Sequence, residues 1–309
     1  MRRLLLVAAF AGLLLVGVAS VAQASEELDV YLEQADAAGY SGVQFVVTVW
    51  GDDTSTGIFQ VEQAGDMVMV HQGAGDSLIS SGKVRAMDGE NGTAIGSWTE
   101  AVGSSRYTVG LPQATERLDR SAQSIDVFEG PLLRARLILD LKTGAPLATE
   151  VYDGNGDLFR FATMLEFDTT MGEMAELAAD GSDYDVVLAA PATSLPAAVA
   201  GYTRVDLYDA PGEGVHAFYA DGLFSFSVFD LPADAGDGPF KDATTFRVGG
   251  SDYRNLLAPS DIWVMWRTPD ATYVLVGDLP PDHLDDVLAE LPRPKNKSFF
   301  SRFWGGLFG

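Results

Sequence analysis

The chain of 309 residues contains no cysteine and only three histidines. The lack of cysteine excludes disulfides, thiol chemistry and thiolate metal sites, so packing alone must stabilise the fold. His71, His216 and His283 lie in different predicted elements, without a partner at the spacing of metal ligands, and we expect surface or hairpin residues there. The sequence therefore indicates neither a metal site nor a cofactor.

Motifs of the common catalytic classes are missing as well. The chain has no H-E-x-x-H, no G-x-S-x-G and no glycine-rich phosphate loop. The segment 153–157, DGNGD, begins like a calcium loop, but Leu158 and Met164 occupy the positions that need glycine and glutamate, so it predicts a hairpin turn. Asp285 and Asp286 are neighbours on a predicted helix and diverge by about 100°, which excludes a carboxylate dyad. We expect no catalytic residues.

Basic residues are few, with 20 against 44 acidic residues and a net charge of −24. All the acidic residues lie within 25–290, whereas residues 292–309 carry four basic residues and no acidic one. An acidic body repels nucleic acid, whose binding requires basic surfaces, so nucleic acid is excluded as a partner. Self-repulsion that maintains solubility explains such a charge.

The N-terminus has the pattern of a secretory signal peptide. Arg2 and Arg3 precede a long apolar run that ends in Ala22-Gln23-Ala24, a small-residue cleavage site. We expect export and cleavage after Ala24; an uncleaved membrane anchor is the alternative.

The remaining chain is dominated by predicted strands. A helix is expected from Ser25 to Gly39. Short segments rich in Val, Ile and Phe, separated by Gly, Asp and Ser, then predict antiparallel strands at 42–51, 57–63, 66–72, 134–141, 147–153 and 158–168. In the segment 147–153, alternating side chains predict a half-buried sheet with one face in the core and the other facing solvent or a cavity.

A Pro- and Ala-rich stretch divides the chain into two predicted domains. Its residues 189–200 form the predicted linker between a larger domain, 25–188, and a smaller one, 201–292, which precedes a C-terminal tail, 293–309. In the smaller domain, Pro281 and Pro292 bound a predicted helix with one apolar stripe of Leu284, Val287, Leu288 and Leu291.

The smaller domain contains the segment AFYADGLFSFSVFD, residues 217–230. Its Asp221-Gly222 pair predicts a two-residue hairpin turn. In this register Tyr219 is opposite Phe224 and Ala217 is opposite Phe226. The aromatic side chains then share one face, which we interpret as the core of the domain; a ligand platform is the alternative.

The tail differs in kind from the acidic body, because aromatic and basic residues alternate in it. Such a composition suits contact with an anionic membrane surface or with a partner. A floppy terminus, or a tail folded back on its own acidic body, is the alternative. The residues with which we associate the contact are Phe299, Phe300, Arg302, Phe303 and Trp304.

The hairpin resembles the signature of the MucB/RseB family, extracytoplasmic regulators of the envelope-stress sigma factor. The residues that match its Tyr-x-Asp-Gly-Leu-Phe-Ser-x-Ser-Val pattern are Tyr219, Asp221, Gly222, Leu223, Phe224, Ser225, Ser227 and Val228. YVLVGDLPPDHLDDVLAEL (273–291) and SLPAAVAGY (194–202) are similar to further family segments. The meander ILDLKTGAPLATEVYDGNGDLFRFATMLEFD (138–168) also resembles that of lipoprotein carriers. The acidic body and the tail depart from the family pattern.

The resemblance implies an α+β fold, mainly antiparallel β. The larger domain would be a curved half-barrel sheet with short helices, like that of lipoprotein carriers, beside a smaller α+β domain. It also implies a non-catalytic regulator that binds the extracytoplasmic segment of a membrane anti-sigma factor, protects it from proteolysis and releases it when a lipid signal binds. A carrier of lipid or lipoprotein acyl chains is the alternative, and an exported hydrolase built from scattered acids is a third hypothesis.

Overall fold

The structure is a computed structural model that describes residues 28–35, 37–64, 67–71, 77–81, 84–88, 105–170, 193–210 and 214–294. The predicted signal peptide and the aromatic residues of the tail lie outside these ranges. Within them, no helix combines the length and the apolar character needed to cross a membrane.

Eleven antiparallel strands form the larger sheet. They are β1 (Tyr40–Trp50), β2 (Asp53–Ala64), β3 (Met67–His71), β4 (Ser77–Ser81), β5 (Val84–Asp88), β6 (Tyr107–Val109), β7 (Gln113–Arg117), β8 (Arg120–Glu129), β9 (Leu132–Asp140), β10 (Pro146–Tyr152) and β11 (Leu158–Asp168). Their order is β5-β4-β3-β2-β1-β11-β10-β9-β8-β6, and β7 pairs with β8 outside this path. The predicted strands in these regions are present.

Alternation of side chains explains why these segments pair as they do. In β2, Phe59 and Val61 are buried on one face, whereas Ile58 on the opposite face is 58% exposed. In β10, Leu147 and Val151 are buried, and Tyr152 is partly exposed. The turn 153–157 that follows is closed by the Asp153 carboxylate, which accepts hydrogen bonds from the backbone of Asn155 and Asp157. The predicted hairpin turn is therefore confirmed.

Eight antiparallel strands form the smaller sheet. They are β12 (Ala198–Val199), β13 (Tyr202–Ala210), β14 (Gly214–Ala220), β15 (Ser225–Pro232), β16 (Thr244–Val248), β17 (Ser251–Leu257), β18 (Ile262–Arg267) and β19 (Ala271–Gly277). Their order is β12-β13-β14-β15-β19-β18-β17-β16. A short 3-10 helix, Gly238–Asp242, precedes β16.

Two α-helices accompany the sheets within the described residues. The first, α1, covers residues 28–35 inside the predicted span, and the second, α2, is Pro281–Glu290. Pro281 begins α2 as expected, because its missing N–H is not needed there. The predicted stripe of α2 is buried at Leu284, Val287 and Leu288. The predicted class, α+β with mainly antiparallel strands, is confirmed.

One hydrophobic cluster extends through both sheets. It includes Leu28 of α1, Ile125 of β8, Phe226 of β15 and Leu284 of α2. Leu195, within the predicted linker, belongs to the same cluster and is buried. Packing between the sheets is thus continuous with packing inside them, as expected for a chain without disulfides.

Candidate functional site

The hairpin that carries the family motif has a different register from the predicted one. Tyr219 pairs with Phe226 and Ala217 pairs with Val228, so the loop has four residues, 221–224, and not two. The prediction of a two-residue turn was therefore wrong. Because the offset is two residues, the faces are unchanged, since side chains alternate with a period of two. Tyr219, Phe226 and Val228 share one buried face.

The Asp221 side chain closes this loop. Its Oδ1 accepts hydrogen bonds from the backbone N–H groups of Leu223 at 3.0 Å and Phe224 at 2.9 Å. Its own N–H donates to the carbonyl of Phe224 at 3.1 Å. Gly222 has a φ of 91°, which glycine adopts without steric cost. The Asp-Gly pair therefore fixes a loop that a side chain stabilises, and this explains the departure from the two-residue turn.

Asp221 also connects the hairpin to the larger sheet. Its Oδ2 accepts a 2.6 Å hydrogen bond from the Tyr107 hydroxyl and lies 3.4 Å from Nη1 of Arg106. Asp221 is only 3% exposed, so these contacts are shielded from solvent. Burial and the adjacent carboxylate raise the pKa of Tyr107 well above its usual value, which keeps the hydroxyl a donor. One acidic residue thus organises the loop and the junction between the sheets.

Glu129 is the centre of an ionic network at the same junction. Its Oε1 lies 2.7 Å from Nε of Arg106, and its Oε2 lies 2.8 Å from Nε of Arg134 and 3.0 Å from Nε2 of His283. Burial would raise the pKa of Glu129, but hydrogen bonds from His283 and Arg106 outweigh it and lower the pKa to about 2. Arg134 extends the network to Asp282 of α2 at 2.7 Å.

His283 corrects a prediction made from the sequence. We expected a surface or hairpin residue, but His283 lies on α2 and is 2% exposed. Its Nδ1 lies 2.7 Å from the Tyr202 hydroxyl, and its ring meets those of Tyr202 and Phe224 edge to face. The other histidine with a described side chain, His216, is in the hairpin as expected and contacts Ser227 Oγ at 2.8 Å. The His71 side chain lies outside the described side chains.

A second set of polar contacts joins the sheets near the end of β19. Arg160 of β11 is buried and donates to Thr48 Oγ1 at 3.0 Å and to the carbonyl of Asp278 at 3.2 Å. Thr48 in turn donates to the carbonyl of Pro259 at 2.6 Å. Asp278 Oδ1 accepts from the N–H of Ser225, a motif residue, at 2.7 Å. Burial raises the pKa of Asp278 to about 6, although the charge of Arg160 opposes this.

The aromatic motif residues complete the junction. Tyr219 and Phe226 stack with ring centroids 4.9 Å apart, and the Tyr219 hydroxyl donates to the carbonyl of Pro196 at 2.7 Å. Phe224 meets Tyr107 edge to face at 6.2 Å. Leu223 is the partly buried member of the motif that packs against the hydrophobic cluster. The motif side chains therefore lie in the core and at the junction.

The sequence pattern did not identify most of the junction residues. Arg106, Tyr107 and Glu129 lie in segments without a motif, and Glu129 is 154 positions from His283. The predicted family motif was the only signal, since it marked Asp221 without assigning it a partner. Among the described residues, no group of three or more His, Asp and Glu residues is arranged to hold a metal ion.

Comparisons with known proteins show which solved structures have a similar fold. No protein-family model matches the chain, and no curated protein matches it significantly. Among solved structures, the chain has the two-sheet fold of MucB, a protein that also forms a complex with MucA. A crystal structure of MucB is 20% identical with a TM-score of 0.54, and covers 86% of this chain and 96% of that chain.

A second solved structure supports the same assignment of the fold. The Pseudomonas aeruginosa MucA/MucB complex contains a chain that is 18% identical with a TM-score of 0.50, and covers 85% of this chain and 96% of that one. A LolA superfamily protein from Nitrosomonas europaea is 11% identical with a TM-score of 0.20, which is too low to support an argument. The resemblance to MucB is thus confirmed at the level of the fold.

Proposed function

We propose that this chain is an exported, non-catalytic regulator that binds the extracytoplasmic segment of a membrane anti-sigma factor. The observation that carries the proposal is the fold, which extends over 96% of MucB in a structure that also contains MucA. The motif hairpin supports it, because its residues build the junction between the sheets. The family resemblance implies that the partner is an anti-sigma factor.

Binding would take place outside the cytoplasm and would protect the partner segment from proteolysis. The protein works in the periplasm or at the outer face of the cytoplasmic membrane, as its N-terminal signal pattern indicates. Binding shields the partner segment from the protease that would cleave it, and a lipid signal releases the segment. Both the protection of the segment and its release by lipid are implied by the family resemblance, and an experiment must measure each of them.

The charge of the chain predicts the chemistry of the partner segment. With 44 acidic and 20 basic residues, the chain attracts basic segments over a distance of about 10 Å at moderate ionic strength. Electrostatic attraction of this kind accelerates association and is screened by salt. We therefore expect a basic partner segment that binds more slowly as salt increases.

The tail provides a second contact in this proposal. Phe299, Phe300, Phe303 and Trp304 enter the interface of an anionic membrane while Arg302 meets its headgroups. The tail would hold the regulator at the membrane from which the partner segment emerges. Membrane contact raises the local concentration of the two proteins.

Affinity purification from envelope extract tests the main proposal. The chain without residues 1–24 is used as bait at several salt concentrations, and co-purifying proteins and lipids are both identified. We expect a single-span protein with a basic extracytoplasmic segment, recovered less at high salt. Recovery of lipid alone at every salt concentration would reject the regulator and favour the acyl-chain carrier.

A protection assay separates binding from function. The recovered segment is exposed to envelope protease with and without the chain, and its half-life is measured. We expect the half-life to increase with the chain and to return to its original value when envelope lipid is added. A matched segment with Lys and Arg replaced by Gln should bind weakly and gain no protection.

A further inference from the structure

His283 lies where the two sheets meet, and both of its ring nitrogens have partners. Nδ1 is 2.7 Å from the Tyr202 hydroxyl of the smaller sheet, and Nε2 is 3.0 Å from Glu129 Oε2 of the larger sheet. The residue is 2% exposed, so solvent does not compete for these bonds. One imidazole ring therefore links a helix, α2, to both sheets.

The partners determine the protonation state of the ring. Glu129 remains ionised, since hydrogen bonds from His283 and Arg106 lower its pKa to about 2 despite its burial. An ionised carboxylate only accepts, so Nε2 carries the hydrogen. Nδ1 of the neutral ring then accepts from the Tyr202 hydroxyl, whose pKa burial raises well above its usual value. The docked arrangement satisfies the neutral ring completely.

Charged groups face this ring from each element packed around it. The groups that act on the ring directly are Arg106 beside β6, Glu129 of β8 and Arg134 of β9. Asp221 of the hairpin loop contacts Arg106, and Asp282 of α2 contacts Arg134. The helix itself also carries Asp285 and Asp286. Burial lowers the pKa of His283, the hydrogen bond to Glu129 opposes this, and the charges of Arg106 and Arg134 lower it further. A proton on Nδ1 would also remove the acceptor of the Tyr202 hydroxyl.

We propose that His283 is a proton-sensitive latch between the two sheets: it stays neutral while they are docked and takes up a proton when they separate. A histidine whose pKa is lowered in the docked form contributes stability above its ordinary value of about 6.5, and this stability is lost as the pH falls. Acidification of the surroundings therefore shifts the chain towards a separated form. The inference depends on the junction alone and not on the identity of the partner.

Asp278, at the other end of the junction, acts in the opposite direction. Its pKa of about 6 in the docked form means that acidification favours docking between about pH 6 and pH 4. If the exposed imidazole has a pKa of about 6.5, separation increases by at most about fourfold from pH 7.5 to pH 6.0. Protonation of Asp278 reduces this to roughly twofold in the natural chain.

The absence of cysteine makes a distance measurement straightforward. Leu111, between β6 and β7 of the larger sheet, and Asp234, in the turn after β15 of the smaller sheet, are both exposed. Spin labels on Leu111→Cys and Asp234→Cys therefore report the separation of the sheets. From pH 7.5 to 6.0 we expect the separated population to rise by up to about twofold, and by up to about fourfold with Asp278→Asn. A constant distance distribution in both chains would overturn the proposal.

Two histidine variants provide the matched comparison. His283→Gln keeps one donor and one acceptor but cannot take up a proton. The rise of the separated population from pH 7.5 to 6.0 should therefore disappear in this variant. His216→Gln, in the hairpin of the smaller sheet and away from the junction contacts, should retain the full rise. An equal rise in the His283→Gln chain would overturn the proposal.

A measurement on the unaltered chain avoids dependence on the folding of a variant. The full chain has only three histidines, so the ring nitrogens of His283 can be followed by NMR. We expect the Nε2–H tautomer at pH 7 and a titration midpoint below about 6.5. A midpoint at or above that value, or an Nδ1–H tautomer, would overturn the proposal.

Discussion

Tyr107 and Asp221 are 114 positions apart in the chain, yet the hydroxyl of one donates to the carboxylate of the other at 2.6 Å. Tyr107 is completely buried, and Asp221 also holds the hairpin loop through two backbone N–H groups. The acidic residue of the family motif therefore has a physical role: it couples the shape of a loop to the docking of the larger sheet.

A double-mutant cycle tests this coupling. We expect Asp221→Ala to lower the free energy of unfolding by about 3 to 5 kcal/mol, because it leaves the buried Tyr107 hydroxyl and the two loop N–H groups without their acceptor. Tyr107→Phe should cost about 1 to 3 kcal/mol, because the carboxylate loses a buried donor. The measurement is urea denaturation of both variants and of the double variant.

The two effects should not be additive, since each substitution removes the same hydrogen bond. A coupling energy of about 1 to 2 kcal/mol is expected, and additivity within about 0.5 kcal/mol would contradict the proposed link. Tyr152→Phe is a matched control, because its hydroxyl contacts Glu150 at the partly exposed face of the larger sheet. It should cost less than about 1.5 kcal/mol.

The raised pKa of Asp278 predicts that the stability of the chain depends on pH in a second way. A carboxyl whose pKa is raised to about 6 in the folded chain contributes stability below about pH 4, and this stability is lost as the pH rises through 6. Because part of Asp278 still contacts solvent, we expect this contribution to be about 1 to 3 kcal/mol. Asp278→Asn should therefore gain stability relative to the natural chain between pH 4 and pH 7.5.

Urea denaturation at a series of pH values measures this difference. The exposed Asp252→Asn substitution removes the same charge elsewhere in the smaller sheet, so its difference from the natural chain should vary little with pH. An equal pH trend in both variants would show that net charge, and not the burial of Asp278, is responsible.

The period-two pattern of the strands is what made the sheets predictable from the sequence. Alternating apolar residues identified β10 and β11 and also the buried face of the hairpin, which an offset of two residues leaves unchanged. The register itself was missed, because it depends on the Asp221 side chain bonding to Leu223 and Phe224. The length of the loop 221–224 depends on these side-chain hydrogen bonds, which cannot be deduced from the Asp-Gly pair alone.

The junction could not be predicted for a different reason. Glu129 and His283 lie 154 positions apart. Glu129 belongs to no motif, and the family-like segment that contains His283 does not indicate a partner for it. Their meeting depends on the order of strands in both sheets and on the position of α2, which are properties of the complete fold. The lack of a partner at the spacing of metal ligands led us to expect His283 at the surface or in a hairpin, but it is buried on α2.

Removal of the tail should abolish binding to an anionic membrane. The cut is best placed after Pro294, because Pro292 accepts a hydrogen bond from Trp266 at 2.6 Å and Arg293 contacts the carbonyl of Ala289. Sedimentation with vesicles of anionic lipid should recover the full chain and not the shortened one. Equal recovery would reject the membrane contact.

Two variants of the tail separate its charges from its aromatic rings. Phe303→Ser with Trp304→Ser removes the apolar insertion, whereas Arg302→Gln removes one charge. We expect the first to reduce recovery on anionic vesicles strongly, and the second to reduce it by roughly 1 kcal/mol of binding free energy, an effect that salt masks. If neither the serine variant nor Arg302→Gln changes the recovery on anionic vesicles, these side chains do not make the membrane contact.

The family's Gly-x-Leu-Pro-Pro step also has a steric explanation. A Cβ on Gly277 would lie 2.7 Å from the carbonyl oxygen of Ser225 and 2.4 Å from the Cβ of Phe226. These atoms belong to the paired strand β15, so the backbone would have to move. Gly277→Ala should therefore lower the free energy of unfolding by about 1 to 3 kcal/mol.

Gly236 provides the matched control for this substitution. No atom lies within 4 Å of the position that its Cβ would occupy, and its φ is outside the left-handed region. Gly236→Ala should be neutral or raise the free energy of unfolding by up to about 1 kcal/mol, since alanine restricts the unfolded chain. If both alanine variants unfold at the same urea concentration, the close approach of β15 and β19 does not explain the glycine.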